Sequence, residues 1–228
     1  VAVAFRSTTY ATSGGSSVLT SNAGEPASAA QNDILLVLVV CGATPTSTLS
    51  MAGGWSQVPG ALWVGSTSRA AVFWQRRGSS APDYTVTQTI SQYIASCATC
   101  WSGCETNGNP WNVAVANAAQ QRNPGAPDCP SITTTVPNTV AVALGMGWDG
   151  ELNSSGWGAP TGYSIANNGS VENLGDIAVF YKALATATTE DPSVFTNSAG
   201  TLSDVGELTL ALMPPQGSAG ILMMRGIG

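Results

Sequence analysis

Apolar residues in this chain come in short runs divided by clusters of Gly, Pro, Asn and Ser, and inside several runs the side chains alternate with a period of two. That is the pattern of extended strands, whose successive side chains point to opposite faces. The runs predict strands at Ala2–Thr9, Ile34–Val40, Trp55–Val58, Leu62–Gly65, Arg69–Gln75, Tyr84–Thr89, Tyr93–Trp101, Ser131–Val136, Thr139–Met146, Ile177–Leu184, Ser193–Thr196 and Glu207–Met213. Turn clusters separate them at Gly53-Gly54, Pro59-Gly60, Asn107-Gly108-Asn109-Pro110 and Asn167-Asn168-Gly169, where Gly and Asn supply the dihedrals that tight turns need. In Thr139–Met146 the large side chains Val140, Val142, Leu144 and Met146 alternate with Ala141, Ala143 and Gly145. Such a strand packs inward on its large face and lies close to another layer on its small one. Only Asn112–Gln121, Ala-rich and without Gly or Pro, has a helical composition. Short helices are marginal without tertiary support, so an irregular excursion over the edge of a sandwich is the equal alternative.

The strand pattern is stated twice. Ala71-Val72-Phe73-Trp74 followed by Pro82-Asp83-Tyr84-Thr85-Val86-Thr87 is echoed by Ala178-Val179-Phe180-Tyr181 followed by Asp191-Pro192-Ser193-Val194-Phe195-Thr196. Upstream, Asn32–Val40 with Gly54-Trp55 is echoed by Asn138–Leu144 with Gly162-Tyr163. Each half is therefore expected to contribute a similar set of antiparallel strands to a shared core, as one all-β sandwich over residues 1–213. The period is too long for a solenoid or propeller of short units.

Of 228 residues, 43% are hydrophobic and only 9% charged, a globular composition and not a disordered one. A net charge of -6 with few Lys and Arg argues against nucleic-acid binding, which needs clustered cations. Arg76-Arg77 is the only adjacent basic pair and reads as a solvated hairpin end. The sparse charge hints that much of the surface lies against neighbours. Val1–Phe5 is broken by Arg6 and lacks the build of a secretory leader, and Ile34–Cys41 is far shorter than the roughly 20 residues of a bilayer span. No membrane association is expected.

Histidine is absent, which removes the commonest general base, the commonest zinc ligand and every Ser-His or Cys-His arrangement. Asp149, Glu151, Asp176, Asp191 and Asp204 are available for carboxylate chemistry, yet acidic residues in Gly- and Asn-rich loops read more simply as solvated turns. Asp149-Gly150-Glu151-Leu152-Asn153 offers alternating oxygens for calcium but lacks the central Gly and terminal Glu of an EF-hand. Asn153-Ser154-Ser155 and Asn168-Gly169-Ser170 fit the glycosylation sequon, a frequent match in so Asn- and Ser-rich a chain. No catalytic residue, metal site or cofactor is expected.

Cys97, Cys100 and Cys104 form a C-x-x-C-x-x-x-C cluster, a poor match to the two-knuckle spacing of structural zinc. On a strand, Cys97 and Cys100 point to opposite faces. Cys104 and Cys129 bracket an excursion whose ends must return to adjacent strands, which makes them the candidate disulfide. Cys41, ending the most apolar run, reads as a small buried hydrophobe.

Val3-Ala4-Phe5-Arg6-Ser7, Asn32-Asp33-Ile34-Leu35-Leu36-Val37, Gly54-Trp55-Ser56-Gln57-Val58, Ala71-Val72-Phe73-Trp74 with Pro82-Asp83-Tyr84-Thr85, Trp101-Ser102-Gly103 and Thr133-Thr134-Thr135 together give the chain a likeness. Over Val3 to about Met213 it resembles the jelly-roll structural proteins of tailed-bacteriophage virions. The resemblance implies a jelly-roll winding of the sandwich and a non-enzymatic role on a particle. It brings no catalytic residues. The expected role is capsid decoration on the outer surface of the shell, with the major capsid protein and further copies of this chain as partners, in a homo-oligomer made in the host cytoplasm.

Residues 214–228 extend past the last expected strand. Pro214-Pro215 cannot continue a central strand, and Ile221–Ile227 is apolar, so the segment either packs back on its own chain or reaches a neighbouring subunit. In the second case Leu222, Met223, Met224, Arg225 and Ile227 are the contact residues. Each large apolar side chain buried there would supply on the order of 1.5–3 kcal/mol before ordering costs. The rival from another class is a carbohydrate-binding or host-adhesion module of a tail or fibre, with Trp101, Trp111, Trp148 and Trp157, in or beside loops, stacking on sugars. Anchoring of turns is the simpler role for each of these, and their exposure discriminates the two.

Overall fold

A computed structural model describes residues 2–13, 19–42, 47–65, 68–90, 93–113, 118–122, 127–148, 157–171, 175–197 and 204–216. Among them there is no helix. The first half of the chain forms β1 (Ala4–Ser13), β2 (Thr20–Asn22), β3 (Ile34–Gly42), β4 (Leu49–Met51), β5 (Ser56–Val64), β6 (Ser68–Arg76), β7 (Thr85–Gln88) and β8 (Ile94–Ser102). The second forms β9 (Ala118–Arg122), β10 (Ile132–Thr133), β11 (Thr139–Trp148), β12 (Trp157–Gly158), β13 (Ser164–Val171), β14 (Gly175–Leu184), β15 (Thr189–Glu190), β16 (Thr196–Asn197) and β17 (Asp204–Leu212).

Each half builds one five-stranded antiparallel sheet: β1-β8-β3-β6-β5 from the first and β9-β17-β11-β14-β13 from the second. Matched in chain order, β1 with β9, β3 with β11, β5 with β13, β6 with β14 and β8 with β17, the two sheets have the same strand order. Of the echoed segments, Ala71–Trp74 and Ala178–Tyr181 lie in the matched strands β6 and β14. The turns are duplicated too. Asn32 and Asn138, two residues and one residue ahead of the central strands β3 and β11, are the non-glycine residues with positive φ among the described residues, at 72° and 59°. Gly54 and Gly162, before β5 and β13, sit at 92° and 80°, a region only glycine enters without strain. Both edge strands, β5 and β13, carry a register shift early in the strand.

The large sheets face one another, with β1 over β13 at one rim and β5 over β9 at the other, as a pseudo-twofold relation between the halves requires. A smaller sheet, β2-β7-β4, covers the outer face of the first large sheet, and the pairs β10-β15 and β12-β16 flank the second half. This layering explains why Ile34–Cys41 shows no polar alternation. Ile34, Leu36, Leu38 and Val40 pack in the central core with Val140, Val142, Leu144 and Met146, while Leu35, Val37, Val39 and Cys41 pack on the other face with Trp55, Tyr84 and Val86. Every residue of β3 is buried. A strand covered on both faces has no reason to alternate.

The small side of β11 behaves as its pattern predicts. Ala143 lies in a separate cluster with Cys129, Trp157, Phe180 and Phe195, and a Cβ added at Gly145 would sit 2.8 Å from the Phe195 ring and 3.2 Å from that of Trp157. Two further glycines set the spacing of the large sheets: a Cβ at Gly169 would meet Tyr10 at 2.7 Å, and one at Gly206 would meet Trp63 at 2.6 Å. Aromatic pairs clasp the halves together, with Tyr181 against Phe5 (5.3 Å between centroids) and Trp101 (5.6 Å), and Trp74 against Trp111 (5.0 Å).

Several elements depart from expectation. Trp55–Val58 and Leu62–Gly65 merge into the single bulged strand β5. Part of the Ala-rich segment is strand and not helix: residues 118–122 pair with β17 from Asp204 to Leu208, because an open sheet edge offers a ladder that outweighs the small helix preference of Ala. Ser131–Val136 and Ser193–Thr196 shrink to short pairs, and Asn167-Asn168-Gly169 is not a turn but the middle of β13.

Candidate functional site

The best-defined polar construction on the rim lies where the chain leaves its last strand. β17 ends at Leu212, and Pro214-Pro215, which cannot donate to a ladder, close it. Met213 donates its N–H to Pro110 O and accepts from Glu105 N, both at 2.8 Å. The Glu105 carboxylate then takes the backbone N–H of Gln216 (2.8 Å) on one oxygen and those of Thr106 (2.8 Å) and Asn107 (3.2 Å) on the other. The Arg76 guanidinium donates to the carbonyls of Glu105 and Gly108, the latter at 3.1 Å. The Gln216 and Asn107 amides, in that order, hold the Glu105 carboxyl below its usual range. The arrangement anchors residues 213–216 on the turn of residues 105–110. Leu222, Met223, Met224, Arg225 and Ile227, the contact residues expected beyond it, lie outside the described residues.

Arg76 and Arg77 are not simply a solvated hairpin end. Arg77 Nε donates to Glu25 Oε1 at 2.6 Å and its backbone N–H to Asp33 O, tying the end of β6 to the loop before β3. That loop holds a buried cluster that sequence reasoning missed. Asp33 Oδ2 accepts from Ala30 N (2.8 Å), Arg6 Nε (3.0 Å) and the Cys100 thiol (3.2 Å). A lone Asp at the head of an apolar run gives no sequence sign of partners that lie 27 and 67 positions away. In the second half, Lys182 pairs with both Glu190 oxygens at 2.9 Å and stands 5.8 Å from the Tyr163 ring centre. Of the carboxylates with catalytic potential, Asp176 is buried in β14 and Asp191 is exposed after β15, while Asp149 and Glu151 lie outside the described residues, as does the calcium-like loop. Among the described residues no three Cys, Asp or Glu side chains are grouped to hold a metal ion.

The proposed sugar platform is overturned at three of its four positions. Trp101 is 0%, Trp157 1% and Trp111 6% exposed, each packed edge-on against another aromatic ring, and the side chain of Trp148 lies outside the described residues. A ring enclosed on both faces offers none to a pyranose. Trp101 and Trp111 are enclosed in the central core between the two large sheets, and Trp157 in the cluster on the outer face of β11.

The cysteines also need correction. All five are free and buried. Cys104 sits in the central core beside Trp101, whereas Cys129 sits in the outer cluster with its thiol donating to Leu144 O at 3.3 Å. The expected Cys104–Cys129 disulfide is not formed, because a whole sheet layer separates the two cores. Cys97 and Cys100 do face opposite sides of β8, into the central and outer cores respectively. Burial pushes the thiols of Cys41, Cys97, Cys100 and Cys104 up to about 12, which keeps them neutral. Comparison with protein-family models, with curated proteins and with solved structures finds no match to this chain.

Proposed function

We propose that this chain is a non-enzymatic structural protein of a tailed-phage virion, a decoration protein that binds the outer surface of the capsid shell and stabilises it. The observation that carries the reading is the anchored exit of the chain: Glu105 and Pro110, on a turn braced by Arg76, hold residues 213–216 to one rim of the β-sandwich, and Ile221–Ile227 further on is largely apolar. An arm fixed at its root and apolar beyond it is suited to reach a neighbouring subunit. Each such contact is weak, and a lattice of symmetry-related sites multiplies it through avidity. The jelly-roll expectation draws support from the first half, where the orders β1-β8-β3-β6 and β2-β7-β4 are those that two Greek keys would give, although β5 pairs with β6 and not with β4.

The test is the copy number of this chain in purified particles, measured by mass spectrometry against the major capsid protein. Decoration predicts on the order of hundreds of copies per particle, as a symmetric shell lattice requires. A few copies would move the protein to the tail, and absence from particles would overturn the virion reading. A chain ending at Gln216 keeps the Glu105 anchor and loses the apolar segment, so it is expected to lose decoration. If it decorates as well as the full chain, the arm has no part in attachment.

A further inference from the structure

We propose that Asn107 is a site of spontaneous deamidation, selected by the fold over the second Asn-Gly pair of the chain, Asn168-Gly169. The reaction needs three things: an asparagine side chain free to turn, a following amide nitrogen unencumbered by a side chain, and a backbone able to bring that nitrogen onto the Asn carbonyl carbon. Asn107 and Gly108 are both exposed, in the turn of residues 105–110. Gly108 stands at φ +63 with nothing within 4 Å of the position a Cβ would take. Among the described residues the Asn107 side-chain amide makes one long contact, 3.4 Å to the exposed Thr106 hydroxyl.

The other candidates fail on one of the three. Asn168 and Gly169 are laddered to Ala178 and Ile177, and the Tyr10 ring lies against Gly169, so the backbone is fixed in an extended form that holds the nitrogen away from the side-chain carbon. Asn109 precedes Pro110, whose nitrogen carries no hydrogen to lose. Sequence alone ranks Asn107 and Asn168 equally; the sheet separates them.

In the reaction the Gly108 amide gives its proton to solvent and its nitrogen bonds to Asn107 Cγ. The Cγ–Nδ2 bond breaks and ammonia departs with a proton from water, leaving a cyclic imide. A water molecule then opens the imide at either carbonyl, to aspartate or, with the main chain rerouted through the side chain, to isoaspartate. Either product sets a new carboxylate beside Glu105, and the second adds a methylene to the turn whose Gly108 carbonyl Arg76 holds. Two carboxylates then compete for the same backbone amides, which loosens the hold on Gln216.

The test is peptide mapping by mass spectrometry of the full chain held folded at mildly alkaline pH, with isoaspartate resolved by chromatography. A gain of about one dalton is expected in the peptide holding Asn107 and not in the one holding Asn168, and in denaturant both peptides are expected to gain it. No gain at Asn107, or equal gain at both sites in the folded chain, overturns the proposal. Gly108→Ala is expected to slow the gain several-fold, and an unchanged rate in that variant also overturns it. Hydrogen exchange at the Met213 and Gln216 amides is expected to be faster in the aged chain than in the fresh one; equal rates would overturn the coupling to the C-terminal anchor.

Discussion

At the scale of single residues, Glu105 shows how a half-exposed side chain governs where a chain goes. It holds three backbone amides, and because those bonds exist only with the folded turn, its carboxyl titrates lower in the fold than in the unfolded chain. A depressed carboxyl contributes stability above its ordinary value of 4.5, and that contribution is lost as the pH falls through the folded value. Hydrogen exchange at Gln216, corrected for the intrinsic pH effect, should therefore speed up on acidification. In Glu105→Ala it should be fast at every pH. Unchanged protection of Gln216 in acid would show that the carboxylate is not what holds it. Asp33 sits in a drier setting, where Arg6, the Ala30 amide and the Cys100 thiol together compensate its burial.

At the scale of elements, the contact between β5 and β17 depends on a size match. Trp63 occupies the space over Gly206, and a side chain there would overlap its ring. Gly206→Val is expected to cost about 1–3 kcal/mol through overpacking. Trp63→Ala should cost about 3–5 kcal/mol through the cavity it leaves. If the two residues meet as described, the double variant loses less than the sum of the single losses in chemical denaturation. Strict additivity would mean that the sheets do not touch at this point. The same logic separates the elements that sequence anticipates from those it does not. β3, β6, β8, β11 and β14 have dense apolar runs, and a run reports its own burial. β9 and β13 lie at sheet edges, carry Ala, Asn, Ser and Gln, and become strands because a neighbour presents an unpaired ladder.

At the scale of the whole molecule, the doubled block leaves its thiols shut inside. Raised folded values mean that the stability linked to the thiols is full below their ordinary value of 9.0 and is lost as the pH rises from there through about 12, where unfolding lets them ionise. Alkylation with iodoacetamide should label none of the five cysteines in the native state near neutral pH and all five in denaturant. Native labelling of any one would place that cysteine nearer the surface than the structure does. Thermal stability should fall through the alkaline range, helped by Tyr10 and Tyr84, whose phenols burial also pushes up.

By itself the sequence determined the all-β class, the duplication and the large-inward, small-outward character of β11, because these are carried by local period and by repetition of short segments. It also singled out Pro214-Pro215 as the close of the strand that became β17, since a missing N–H is a local property. The tertiary structure alone decided how the halves meet: two sheets of the same strand order placed face to face about a pseudo-twofold. From that meeting follow the burial of Trp101 and Trp111, the separation of Cys104 from Cys129, the strand at 118–122 and the different surroundings of the two Asn-Gly pairs. Each depends on partners far away in the chain, and no local pattern encodes the distance between residues that only folding brings together.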